Sequence, residues 1–262
     1  GYPDVVVQFE NNYRRWDSQI YMVVGFGNGT GASSVTWPNV INGFDASTDV
    51  NVYEVFPTLN TNNDESANPE LVQIVISDAI AAAGQIDDVY IRFVWTGLWS
   101  YSWFIDDVSV VEQPDNDIQL VSSWVLGENN EGIEYGRMPL DQLDANLTIG
   151  SEVYNFGVLD QTAIEVDADF VSFSSLLTSS SILAANSELL ENLESPTLAV
   201  GLYEGTYTAT SAGETAGAEF FNNTGLRNFE VTSDIYSTDG IGVHPAANLT
   251  VGSIGTDTFG PD

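Results

Sequence analysis

The feature that most constrains this chain is a succession of short apolar runs, each bounded by turn-forming residues. The runs "DVVVQFE", "IYMVVGF", "VNVYEVF", "LVQIVIS", "DVYIRFVW" and "WFIDDVSVV" are rich in Val, Ile, Phe, Tyr and Trp. Gly, Asn, Asp and Pro cluster between them. β-Branched and aromatic residues favour strands, and such punctuation favours turns. Regular short strands with turn signals predict an all-β sandwich. "SDAIAAAGQ" (77–85) is the one helix-like piece there, a single turn at most.

"EQPDND" (112–117) follows a strand and has linker composition. A second series comes after it: "IQLVSSWVL", "ANLTIGSEVYNFG", "TAIEVDADFVSFS", "SPTLAVGLYEGTYTATSA" and "LRNFEVTSDIYS". In "IEVDADF", Glu165, Asp167 and Asp169 alternate with Val166, Ala168 and Phe170, the pattern of a strand with one solvated face. The segment 176–195 reads equally as strand-turn-strand or as a short helix. These boundaries give a first sandwich over 1–113, a second over 117–232, and over 233–262 a C-terminal extension or the start of a further β domain. This segment contains "ANLTVGSI", and thirty residues form no core of their own, so Leu249, Val251 and Ile254 are expected to pack on the second sandwich, a further domain or the next molecule.

Charge narrows the partners. The 262 residues carry 38 Asp and Glu against 5 Lys and Arg, a net charge of -33. All five basic residues are arginines. Such a surface repels phosphate backbones and anionic lipid, so nucleic acid and membranes are not expected partners. It suits a protein kept soluble in salt, or one that binds divalent cations. The absence of cysteine excludes disulfides and thiolate metal sites. The single histidine, His244, excludes a multi-histidine zinc centre, and its loop-like setting "GVHPAAN" makes a poor triad. No apolar run reaches membrane-spanning length. No pair of carboxylates has a defensible acid–base spacing, so the chain is read as non-catalytic.

The "QFE..YRR" strand, the "NPE...IS" strand and the "YIRF.W.G.WSYSWFIDDV" stretch together resemble the MAM-like, carbohydrate-binding-like jelly-roll modules of large secreted bacterial surface proteins with C-terminal sorting domains. The later "NDIQLV", "NFGVLDQTAIEV" and "FEVTSDIYSTD" look like the Ig-like domain that often follows such modules. The resemblance implies a jelly-roll β-sandwich followed by an Ig-like β-sandwich, at an extracellular or cell-surface location. It implies a structural or adhesive role; the alternative is a carbohydrate-binding accessory module of a secreted degradative enzyme. In related jelly rolls a strand or two precedes the one matching "VVVQFE". The first domain is therefore expected to be completed by another segment, by other domains of the same surface protein, or by a strand from a neighbouring copy, which would build a filament.

Two sets of site residues follow. Strict alternation along "WFIDDVSV" places Asp106 with Phe104, Val108 and Val110 on the core face, and Asp107 on the other. A buried Asp106 needs Arg14, Arg15, backbone amides or a metal. If "YIRF" and "FIDD" pair as a hairpin, Arg92 faces Asp107 as a structural ion pair. The family resemblance implies instead a structural calcium at Asp106 or Asp107, which would take six to eight oxygens. The second set is aromatic: Trp16, Trp37, Trp99 and Tyr101 could form a platform for polysaccharide, or pack in a core or interface. The glycine-rich "GFGNGTGASS" (25–34) lacks the lysine and helix of a phosphate loop and reads as a hairpin loop. The acidic loop 60–70 fits no EF-hand spacing.

Overall fold

A computed structural model describes residues 4–31, 34–38, 45–84, 88–99, 101–128, 136–214 and 222–237. The fold is all β, as the sequence predicts, and the chain divides into two compact units, Gly1–Gln113 and Pro114–Asp262. Among the described residues no helix is long and apolar enough to cross a membrane.

The first unit contains β1 (Val5–Arg14), β2 (Asp17–Gly27), β3 (Val52–Glu54), β4 (Glu70–Val75), α1 (Ser77–Ala83), β5 (Asp88–Trp99) and β6 (Ser102–Glu112). They form two antiparallel three-stranded sheets, β4-β1-β6 and β3-β2-β5. The core lies between them. Val7, Phe9 and Tyr13 of β1 meet Ile20, Met22 and Val24 of β2, each set spaced by strand alternation. The buried Tyr13 hydroxyl donates to the Ser18 carbonyl at 2.9 Å, so its burial leaves no unpaired polar group. Helix α1 has seven residues, about two turns rather than one.

Two expectations fail in this unit, for linked reasons. First, β5 and β6 do not pair as a hairpin: β5 pairs with β2 and β6 with β1. Phe93 and Trp103 meet edge to face at 5.7 Å across the core. Their apolar faces oppose one another, whereas a hairpin would place them side by side. Arg92 and Asp107 therefore lie on different sheets, and the proposed ion pair between them does not form. Second, the faces of β6 are inverted in the part that precedes its bulge. Trp103 and Ile105 pack on the core, while Phe104 is 65% exposed and Asp106 is exposed too. Gln8 pairs with Ser109 but Glu10 with Asp106, so β6 holds one residue more than β1 between these rungs. That bulge sits at Asp107, whose φ is 49°. Its amide donates to Asp106 Oδ1 at 2.9 Å. Strict alternation could not hold through such an insertion, and Asp106 needs no buried partner.

The second unit contains β7 (Ile118–Gly127), β8 (Arg137–Pro139), β9 (Leu147–Asn155), β10 (Gln161–Asp169), β11 (Ser174–Ile182), β12 (Ser187–Glu194), β13 (Gly201–Thr210) and β14 (Thr224–Thr232). The sheets are β11-β10-β13-β14-β8 and β12-β9-β7, antiparallel except for β14 against β8. Ile118, Val125, Ile149 and Val153 pack against Val166, Ala168, Phe170, Tyr207 and Phe229. Glu165, Asp167 and Asp169 are exposed, as their alternation predicts. The undecided segment 176–195 is strand-turn-strand, formed by β11 and β12. Leu249, Val251, Ile254 and His244 lie outside the described residues.

Candidate functional site

The aromatic set is only partly brought together. Strand β1 ends at Arg14 and β2 begins at Asp17, so Arg15 and Trp16 alone carry the chain from one sheet to the other. The acidic loop holds this crossing by main-chain bonds: Arg15 N–H donates to the Asp64 carbonyl (2.8 Å) and Asn63 N–H to the Arg15 carbonyl (3.0 Å). Asp64 is itself fixed, accepting from Thr61 N–H (2.7 Å) and the Thr61 hydroxyl (2.5 Å). Those bonds favour its ionised form and lower its pKa.

Tyr101 stands over this loop. Its hydroxyl donates to Asn63 Oδ1 at 3.1 Å, and the Arg14 guanidinium carbon lies 4.6 Å from its ring centroid. Arg14 Nε is also 4.0 Å from Glu65 Oε2. Trp16 meets Tyr101 at 6.1 Å with ring planes 89° apart. Both rings are open, Trp16 at 39% and Tyr101 at 54% exposure. The two aromatics thus form a corner, not a coplanar platform, with a cation, an amide and a carboxylate beside it. Neutral or anionic groups with an apolar face suit such a corner, through ring stacking and hydrogen bonds from Arg14.

Trp37 is elsewhere. It packs against Tyr21, Val23 and Val52 on the outer side of the β3-β2-β5 sheet, with Arg92 Cζ 3.8 Å from its ring centroid. Arg92 is in register with Val23, in the middle of β2, and Trp37 lies over Gly25 further along it, so Trp37 does not join Trp16 at the start of the strand. Arg92 therefore satisfies itself on an indole instead of Asp107. Trp99 is opposite Asp17 in the β2–β5 ladder; its side chain lies outside the described residues. Sequence reasoning missed the roles of Arg14, Asn63 and Glu65. The signal available was the run "NNYRRW", where two arginines lie between two aromatics at a strand end.

Asp106 and Asp107 sit at the β6 bulge, both exposed, with Glu10 in register with Asp106. Arg14 and Arg15 do not reach them: Arg14 is at Tyr101, and Arg15 Nε donates to the Ser18 carbonyl at 3.0 Å. Among the described residues no group of three or more His, Cys, Asp or Glu side chains is placed to hold a metal. A calcium at Asp106 and Asp107 would have to draw its other oxygens from side-chain amides or hydroxyls, main chain, water or another molecule.

No family model matches the chain, and no curated protein matches it. Among solved structures, a Parabacteroides merdae β-glucuronidase with glycerol in its active site aligns at 11% identity and a TM-score of 0.36. The match covers 87% of this chain and 25% of that one. A red sea bream transglutaminase aligns at 10% identity and a TM-score of 0.28, over 88% of this chain and 29% of that one. The chain thus spans about a quarter of the length of these enzymes. Similarity at this level carries no argument about function.

Proposed function

We propose that the chain is a non-catalytic structural or adhesive module of a secreted bacterial surface protein, displayed outside the cell, that associates with neighbouring copies or domains by strand addition. One observation carries the reading: the β5–β6 side of the first unit. Among the described residues β6 pairs only with β1, and β5 only with β2. Val110 is in register with the buried Val7, yet it is 60% exposed; Val108, two residues before it, is 49% exposed. On β5, Val89 is opposite Phe26 and is exposed as well. An edge with free main-chain groups and core-facing valines in the open accepts an added strand, the main chain giving affinity and alternate side chains giving register. The segment 246–262, with Leu249, Val251 and Ile254, has the composition of a donor.

Light scattering at low and high salt, with and without calcium, tests this reading. Assembly lost on Val110→Lys, and lost again on deleting 246–262, supports strand addition from a second copy. A chain that stays monomeric under every condition, or assembles as well after both changes, overturns it.

The second reading is a carbohydrate-binding accessory module, favoured by the exposed Trp16–Tyr101 corner with Arg14, Asn63 and Glu65 around it. Affinity electrophoresis against immobilised polysaccharides checks it. Binding that falls in Trp16→Ala supports this reading, and binding unchanged in Trp16→Ala removes the Trp16–Tyr101 corner as its site.

A further inference from the structure

The outer face of the β12-β9-β7 sheet carries an aromatic platform in the second unit. Register defines it as three rows across the strands: Ser122, Glu152 and Leu189; Trp124, Gly150 and Glu191; Leu126, Thr148 and Leu193. The residues between these rows, Val125, Ile149 and Leu190, point into the core, so the rows face out. In the middle row the Trp124 indole lies across the strand where a side chain from residue 150 would stand. A Cβ on Gly150 would overlap indole atoms Nε1, Cε2 and Cζ2. Only glycine leaves the sheet backbone bare enough for the ring to lie down on it. The far end of the ring is pinned: Nε1–H donates to Glu191 Oε1 at 3.2 Å. Leu189 and Leu193 flank it on β12, 66% and 52% exposed.

A core residue explains none of this. The half-buried indole is held over a glycine and by a carboxylate at its tip, and large apolar side chains are left in the open on β12. We infer that this face binds a neutral polysaccharide, one pyranose ring stacking on Trp124. The electron-rich ring face attracts the weakly positive C–H groups on one side of a sugar. Glu152, Ser122 and Thr148 border the ring with acceptors and hydroxyls for the sugar's hydroxyl groups. Charge selects among occupants. Glu152 and Glu191 on the face, within a chain of net charge -33, oppose an anionic polymer. They equally oppose a second copy laid face to face, whereas a neutral, hydroxyl-rich ligand meets no such barrier. The site is independent of the open β5–β6 side and of the Trp16 corner, and its failure leaves both readings standing.

Affinity electrophoresis of the full chain through gels containing xyloglucan, mixed-linkage β-glucan, galactomannan or dextran tests the inference. Retardation by at least one of them is expected, weakened at least tenfold in Trp124→Ala and only partly in Trp124→Phe. It should be unchanged in Trp16→Ala, which separates this face from the first unit. Circular dichroism melts establish that the Trp124 variants remain folded; were Trp124→Ala to unfold, Leu193→Asp on the exposed rim replaces it and should abolish retardation. Absence of retardation in all four gels overturns the inference, as does retardation undiminished in the folded variant. A dimer seen by sedimentation and lost in Trp124→Ala would assign the face to a second copy and overturn it too.

Discussion

At the scale of single residues, the backbone dictates identities that side-chain patterns do not reveal. Gly97 has φ of 112° and sits where β5 bulges against the start of β2. A Cβ there would overlap the Asp17 carbonyl oxygen and lie 2.8 Å from Ser18 Cα. Gly97→Ala is therefore expected to destabilise the first unit by about 2 kcal/mol or more, since both conformation and space forbid the methyl group. Denaturant melts check it, and a loss under about 0.5 kcal/mol would contradict the close approach. The two aspartates of β6 behave differently. Both are exposed, so Asp106→Ala and Asp107→Ala are each expected to cost under about 1 kcal/mol. Asp107→Gly, at φ of 49°, is expected to be neutral or stabilising, because glycine adopts that conformation without penalty. A large loss for Asp106→Ala alone would restore the buried carboxylate that alternation predicts.

At the scale of elements, position in the sheet separates strands of similar composition. Strand β1 lies between β4 and β6, and β9 between β12 and β7, so their amides are held on both sides. Strands β6 and β12 are edges whose outward main-chain groups have no ladder partner among the described residues. Hydrogen exchange is expected to be slowest in the core-facing β1 and β9 and faster in β6 and β12. Protection of β6 equal to that of β1, at concentrations where the chain associates, is what strand addition would produce. Protection that does not change with concentration would remove that explanation.

For the whole molecule, charge outweighs every other surface property. Thirty-eight carboxylates against five guanidinium groups repel one another most strongly in the compact state. The melting temperature is expected to rise with sodium chloride as screening shortens the range of that repulsion. Calcium is the sharper probe. If Asp106 and Asp107 hold an ion with oxygens from main chain or water, calcium raises the melting temperature beyond sodium chloride at equal ionic strength, and Asp107→Ala abolishes the excess. Equal effects of the two salts would reduce the carboxylates to a solvated surface.

The sequence by itself determined the all-β class, most of the strands of both units and the solvated face of "IEVDADF", and left 176–195 open between strands and helix. These follow from composition and period-two alternation, which are local and survive any arrangement of the sheets. Trp16 and Tyr101 were legible only as members of a set with Trp37 and Trp99, which composition could not sort into platform or packing residues. Only the tertiary structure decided which strands pair. The switch of β5 and β6 into opposite sheets turned an expected hairpin into two facing layers, and with it parted Arg92 from Asp107. The bulge at Asp107 put Trp103 and Ile105 on the core side while Val110 stayed in register with Val7, because one inserted residue breaks the alternation between the two parts of β6, and nothing in "WFIDDVSV" marks the insertion. The Trp124 platform was hidden for a like reason. A tryptophan and a glycine 26 positions apart become one surface only when β7 and β9 align in register, and register is a property of the sheet.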